Sequence, residues 1–224
     1  MGNKTESEML FEQFCIERGI RYEPISTESD EGQKTPDYYI YPNAQLIVVE
    51  VKQIDPTKQE LEQLKEFETK GWVVSGEGKP GDRVRNKIAA GGKQIRVKAG
   101  DKYPTLLVLY NNVSLFNHAN AYSIKVAMYG LETHLLAIPQ DPSQRPYLVE
   151  KKYGPKRKMT IDANTSISAV GVLAKDNDLG LQLSIFHNIY AAIPIPPQIL
   201  RYLGVMQFTL EQKQVSQFSD WIEI

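Results

Sequence analysis

The sequence predicts an α/β fold in which a mixed central sheet is flanked by helices and carries a strand-rich C-terminal extension. Three observations lead there. Helical and strand-like segments alternate in the order α-β-β-β-(α)-α-β over residues 5–112. The rest of the chain, 113–224, is mostly short runs of β-branched and aromatic residues. With 224 residues, 42% apolar and 24% charged, there is enough chain for one sizeable core. The same figures exclude a disordered tail, a collagen-like fibre and a disulfide scaffold. Apolar runs such as Leu106–Tyr110 are far shorter than the roughly 20 residues of a membrane span, so no membrane partner is expected. An N-terminus without the basic-then-apolar order of a signal peptide, and a lone Cys15, point to a cytoplasmic protein.

Each element has a local reason. From Thr5 the spacing of Met9, Leu10, Phe14 and Cys15 predicts a helix that Gly19 stops. Arg21–Ile25 is strand-like, and Ser26–Thr35 is a polar loop. Asp37–Tyr41 and Leu46–Ile54 read as a hairpin turned at Pro42-Asn43-Ala44, with Pro56 ending the second strand. Thr57–Thr69 places Leu61, Leu64 and Phe67 at helical spacing, and a Gly/Pro loop follows through Gly81. Asp82 is the expected N-cap of a basic helix to Lys98, and Thr105–Tyr110 is a buried strand by composition. Beyond it a helix is expected near Ala121–Met128 and strands at His134–Ile138, Ser166–Leu173, Leu181–Phe186 and Val205–Leu210. A short helix should follow Pro194-Ile195-Pro196-Pro197, and a helical turn should close the chain over Ser216–Ile224. No linker divides the halves, so residues 1–224 are read as one domain.

The net charge of −1 averages over opposed regions. Residues 1–70 hold 15 acids and 8 bases, whereas 79–102 hold eight bases and two acids, and Lys151–Lys158 is basic again. Such runs suit metal ions and a polyanion respectively, or are simply solvated faces.

The chemistry concentrates in Thr35-Pro36-Asp37-Tyr38-Tyr39-Ile40 and Val49-Glu50-Val51-Lys52-Gln53. On a strand, Leu46, Val48, Glu50, Lys52 and Ile54 share a face, so two charges end an otherwise apolar stripe. Buried charges need partners, and the hairpin can bring Asp37 alongside. Two carboxylates and the Val51 backbone carbonyl make the oxygen-only site that Mg²⁺ prefers, with Mn²⁺ able to substitute. Lys52 would stand beside it, placed to orient a water nucleophile and offset charge on a phosphate.

Pro36-Asp37 with Glu50-Val51-Lys52 resembles the PD-(D/E)xK signature of the restriction-endonuclease-like nuclease superfamily, whose core is αβββαβ. The first helix is similar to that of its exonuclease and resolvase-like branches, with Glu8, Phe11, Phe14, Cys15 and Gly19 at the matching spacing. The resemblance covers residues 5–112, with 57–80 an insertion and 113–224 a C-terminal extension of the sheet. It implies Asp37 and Glu50 as metal ligands, Lys52 as the catalytic lysine and Glu8 as an auxiliary acid. Where several exonuclease branches carry Gln-x-x-x-Tyr, this chain has Gln94 and then Lys98. Gln94, Asn86 and Lys87, with Arg83, Arg85 and Lys93 on the same basic helix, are the candidate substrate contacts. The implied activity is Mg-dependent hydrolysis of phosphodiester bonds in nucleic acid, DNA first.

Each residue also has a plain structural use. Glu8 stands three residues after Thr5, as in a capping box, and Glu50/Lys52 could be a surface ion pair. Gly91-Gly92 marks either the end of the basic helix or a close approach by the sheet or a nucleic-acid backbone. Cys15 belongs to the core, and His118, His134 and His187 do not suggest a zinc site. The alternative function is a non-catalytic nucleic-acid-binding or assembly module, its extension forming a homodimer or partner surface.

Overall fold

Thr5 starts α1 (Glu6–Glu17): its hydroxyl accepts from the Glu8 amide while the Glu8 carboxylate accepts from the Thr5 amide, a reciprocal capping box. Ser7, Phe11, Phe14 and Cys15 recur at the spacing of one helical face and are the residues α1 buries. Gly19, with φ +64°, then lets the chain reverse into β1 (Tyr22–Pro24). The computed structural model describes residues 4–26, 34–74, 79–99, 102–214, 217–218 and 220–224, so most of the Ser26–Thr35 loop and part of the Gly/Pro loop before Gly81 lie outside the described residues.

β2 (Tyr38–Ile40) and β3 (Ile47–Ile54) form the expected hairpin, turned through a 3₁₀ segment at Pro42–Ala44 in which Asn43 and Ala44 both have positive φ. α2 (Lys58–Lys70) opens on a second capping box, Thr57 with Glu60, and ends at Gly71 in the left-handed conformation. It buries none of its residues. α2 therefore lies outside the layers that make the core. α3 (Asp82–Lys98) and β4 (Thr105–Asn111) complete the expected order through the first half of the chain. The cap of α3 is not Asp82 but Gly81. Gly81 has φ +75°, and a Cβ there would lie 2.8 Å from the Ser123 carbonyl oxygen. Packing of the helix start against α4 (Ala121–Tyr129) thus selects glycine over a side-chain cap.

The second half adds a hairpin of β5 (Glu132–Ala137) and β6 (Tyr147–Tyr153), then β7 (Ala169–Asp176), β8 (Gly180–His187), α5 (Gln198–Arg201) and β9 (Met206–Thr209). β10 (Gln212–Gln214) pairs with β11 (Gln217–Phe218), and β12 (Ile222–Glu223) pairs antiparallel with β9. The closing segment is thus strand, not helix, because the edge of β9 offers backbone partners that an isolated helical turn lacks. β6 was likewise not foreseen. Its lysines read as solvated charge, while its pairing partner lies some fifteen residues away.

Eight strands form one mixed sheet in the order β1-β2-β3-β4-β7-β8-β9-β12. β3, β4 and β7 are mutually parallel at its centre, and β1–β2–β3 and β7–β8 are antiparallel. Strands from both halves hydrogen-bond into this sheet, the second half through β7, β8, β9 and β12, whereas β5–β6 and β10–β11 form separate two-stranded pairs. Central strands are covered on both faces. Leu106 and Val108 of β4 face the layer of α1 and α5, while Leu107 and Leu109 face α3 and α4. No helix among the described residues is long and apolar enough to cross a membrane.

Candidate metal centre at the end of strand β3

In β3, Ile47, Val49 and Val51 pack toward α1, whereas Val48 and Ile54 pack toward α3. The pleat therefore puts Glu50 and Lys52 on the α3 side. On the hairpin edge, the Asp37 amide donates to the Val49 carbonyl at 3.1 Å and the Val51 amide donates to Asp37 Oδ2 at 2.7 Å. These two bonds hold the Asp37 carboxylate beside the segment of β3 that carries Glu50. The N–H and C=O of a strand residue point the same way, so the Val51 carbonyl faces the side where Asp37 sits.

Glu50 is fully buried, which is exceptional for a carboxylate. Gly91 of α3 lies against it. A Cβ on Gly91 would lie 2.5 Å from Leu107 Cδ1 and 3.4 Å from Glu50 Cγ, and one on Gly92 would lie 2.7 Å from Asn164 Oδ1. The glycines therefore serve a close helix–sheet contact within the fold, and the helix continues through them. The Lys52 ammonium forms an ion pair with Glu50 Oε1, and both Glu50 oxygens are shut off from solvent. Burial, followed by the neighbouring Asp37 charge, pushes the Glu50 carboxyl up to about 8 against the partial relief given by Lys52. Asp37 is also raised, by burial, with the Val51 amide and Lys52 opposing and Glu8 adding repulsion.

Glu50 is fully and Asp37 partly buried, and two carboxyl groups at such close range are relieved by a proton or by positive charge, part of which Lys52 supplies. Asp37, Glu50 and the Val51 carbonyl are the hard oxygen donors that would hold a small divalent cation. Glu8 borders that cleft, about 160 Å³ in volume, together with Lys4, Pro36 and Asp37. Its Oε2 takes the cap hydrogen bonds from Thr5, and among the described residues no three His, Cys, Asp or Glu side chains converge as metal ligands. Glu8 therefore enters the site as a neighbouring charge and a helix cap, outside the ligand pair.

The basic helix divides by its faces. Lys87 points to the end of β3, where burial lowers its pKa, Asp55 opposes and the charges of Lys52 and Arg83 add. Gln94 Nε2 donates to the Thr35 carbonyl at 3.1 Å, tying the segment that carries Asp37 to α3. Lys93 is exposed and, with Lys34, Gln94 and Val97, lines a groove of about 400 Å³ beside that segment. Asn86 is exposed. Arg83 is occupied in the fold, bonding Glu60 and the Asp55 carbonyl and so fastening α2 to α3. Arg85 departs from the expectation of a substrate contact: it is buried and ion-paired with Asp82, because its position on the helix faces the core beside Val84 and Ile88. Lys34 and His118, which contacts Glu60 Oε1 at 2.5 Å, were missed. Both lie in loops with no periodicity to mark them.

No family model, curated protein or solved structure matches the chain.

Proposed function

We propose that the protein is a metal-dependent nuclease acting on DNA, with a core of the restriction-endonuclease-like type. The observation that carries this reading is the fully buried Glu50 beside the half-buried Asp37, with Lys52 on the Glu50 face, at the end of a strand inside an α-β-β-β-(α)-α-β order. A bound Mg²⁺ or Mn²⁺ would supply Lewis acidity toward a phosphate oxygen and a more acidic water. Asp37 and Glu50 supply the negative charge that selects a cation, and a bound cation would offset the desolvation that otherwise favours their protonated forms. Asp37 is oriented by the Val51 amide, and Lys52, 22% exposed, holds a positive charge where negative charge develops on a phosphate. Lys87, Lys93 and Lys34 offer phosphate contacts from α3 and the adjacent loop, and Asn86 an uncharged one. Gln94 acts by positioning Asp37.

The test is cleavage of plasmid and linear DNA by purified protein in Mg²⁺ or Mn²⁺, beside Asp37→Asn and Lys52→Ala. Loss of cleavage in both variants with retained folding supports the assignment. Equal cleavage by all three identifies a contaminant and ends it. Metal-independent DNA binding with no cleavage would favour the non-catalytic module.

A further inference from the structure

A second site lies beside α4, at the base of the β5–β6 hairpin. A cavity of about 550 Å³ is walled by Tyr122, Tyr153 and Trp221 and carries Lys125, Glu132 and Asp220. Its parts are held in place. Trp221 Nε1 donates to the Ala121 carbonyl at 2.9 Å, and the indole packs 4.9 Å from the Phe186 ring. The Lys125 side chain, only 9% exposed, sits 2.7 Å from Asp220 Oδ1 and 3.5 Å from Glu132 Oε2, with Tyr153 on its other side. Glu132 is in turn fixed by the Tyr153 hydroxyl at 3.1 Å and by His134 at 2.5 Å. Gly130, at φ +96°, lets the hairpin base close on the end of α4: a Cβ there would meet the Gly154 carbonyl oxygen at 2.5 Å.

The chemistry of the walls narrows the ligand. A cationic ligand would meet the buried Lys125 ammonium, and an anionic one would meet Glu132 and Asp220. A neutral, flat molecule with donors and acceptors on one edge meets neither objection, and it can lie against the aromatic walls. Asp220 beside Lys125 sets an acceptor next to a donor. Guanine matches this, with N1–H and N2–H₂ toward the carboxylate and O6 toward the ammonium. Tyr122 also lines a second cleft of about 210 Å³ with Lys79, Gly81 and His118, where the exposed Lys79 ammonium could meet a phosphate next to the base.

We infer that this cavity is a subsite for an unpaired guanine base, presented by a single-stranded segment of the nucleic acid. The strand source rests on the nuclease reading; a free guanine nucleotide shares the base chemistry and is resolved by the test. Fluorescein-labelled short oligodeoxynucleotides carrying a single guanine, a single inosine or neither are titrated in Ca²⁺, and GMP and CMP are titrated separately by intrinsic fluorescence. Tyr122→Ala, at a residue 54% exposed, and Asp220→Asn, whose side chain is 90% exposed, perturb the cavity without opening the core. Wild type should bind the guanine strand several-fold more tightly than the inosine strand, which lacks N2–H₂. Tyr122→Ala should weaken single-strand binding roughly tenfold, as loss of one stacking partner does. Asp220→Asn should abolish the guanine-over-inosine preference. If wild type cleaves DNA in an Asp37-dependent way but ignores guanine, or both variants match wild type, the cavity inference fails and the nuclease reading stands. If GMP binds in an Asp220-dependent way while no strand binds or is cleaved, the base site stands as a mononucleotide site and the nuclease reading fails.

Discussion

Replacing Glu50 by glutamine should make the metal-free protein more stable at pH 8 than the wild type, the reverse of what loss of a buried ion pair ordinarily does. The wild-type carboxyl titrates at about 8 in the folded chain against 4.5 when exposed, because burial and Asp37 disfavour its charge. Between those values the folded state keeps a proton that the unfolded state has released, so wild-type stability falls as pH rises from 4.5 toward 8 and then levels. At about 1.4 kcal/mol per pH unit, the full displacement from 4.5 to about 8 corresponds to on the order of 5 kcal/mol. Glutamine has no such titration and nearly the same shape. Urea denaturation followed by the fluorescence of Trp72 and Trp221, in chelator at pH 5 to 9, should give curves that coincide near pH 5 and separate above it. Adding Mg²⁺ at a hundredfold excess over its dissociation constant should return about 2.7 kcal/mol to the wild type and almost nothing to the variant. Parallel pH profiles for the two proteins would refute the reasoning, since Glu50 would then carry its charge in the fold at no cost.

Three further outcomes are expected. Gly91→Ala gains about 1 kcal/mol of helix propensity but places a methyl group 2.5 Å from a fully buried Leu107, an overpacking cost of about 1 to 3 kcal/mol. Denaturant titration should therefore show a net loss, and an unchanged midpoint would mean that α3 does not press on β4 at Leu107. The Glu60 carboxyl is burdened by burial, but hydrogen bonds from Thr57, His118 and Arg83 more than compensate and hold it down to about 2. Its contribution is present above pH 4.5 and lost as pH falls through 2, so Glu60→Gln should cost on the order of 1 kcal/mol near neutrality and nothing at pH 2, measured by thermal melts across that range. Cys15 is fully buried and its thiol is pushed up to about 12 by burial, with Glu12 adding, so a thiol reagent should label it only as fast as the chain opens. Prompt labelling of native protein would place α1 away from the sheet.

The amino-acid sequence by itself determined the order of elements through β4, because each announces itself locally. Thr5 with Glu8 and Thr57 with Glu60 start helices, the Pro42-Asn43-Ala44 turn joins two β-branched runs, and Leu106 to Leu109 can only be buried. It also singled out Asp37, Glu50 and Lys52, since charges at the end of an apolar strand demand a partner. Features that depend on distant residues were not legible. Gly81 displaced Asp82 as a cap because α4 packs on it, Arg85 turned inward to Asp82, and β12 became a strand because β9 offered an edge. Glu8 satisfied its own helix, a local bond that the spacing had already offered. Which carboxylates are desolvated, and therefore which can hold a cation, was decided only in the tertiary structure. The close passage of α3, at Gly91, over Glu50 is what removes water from that carboxylate, and no local pattern contains that distance.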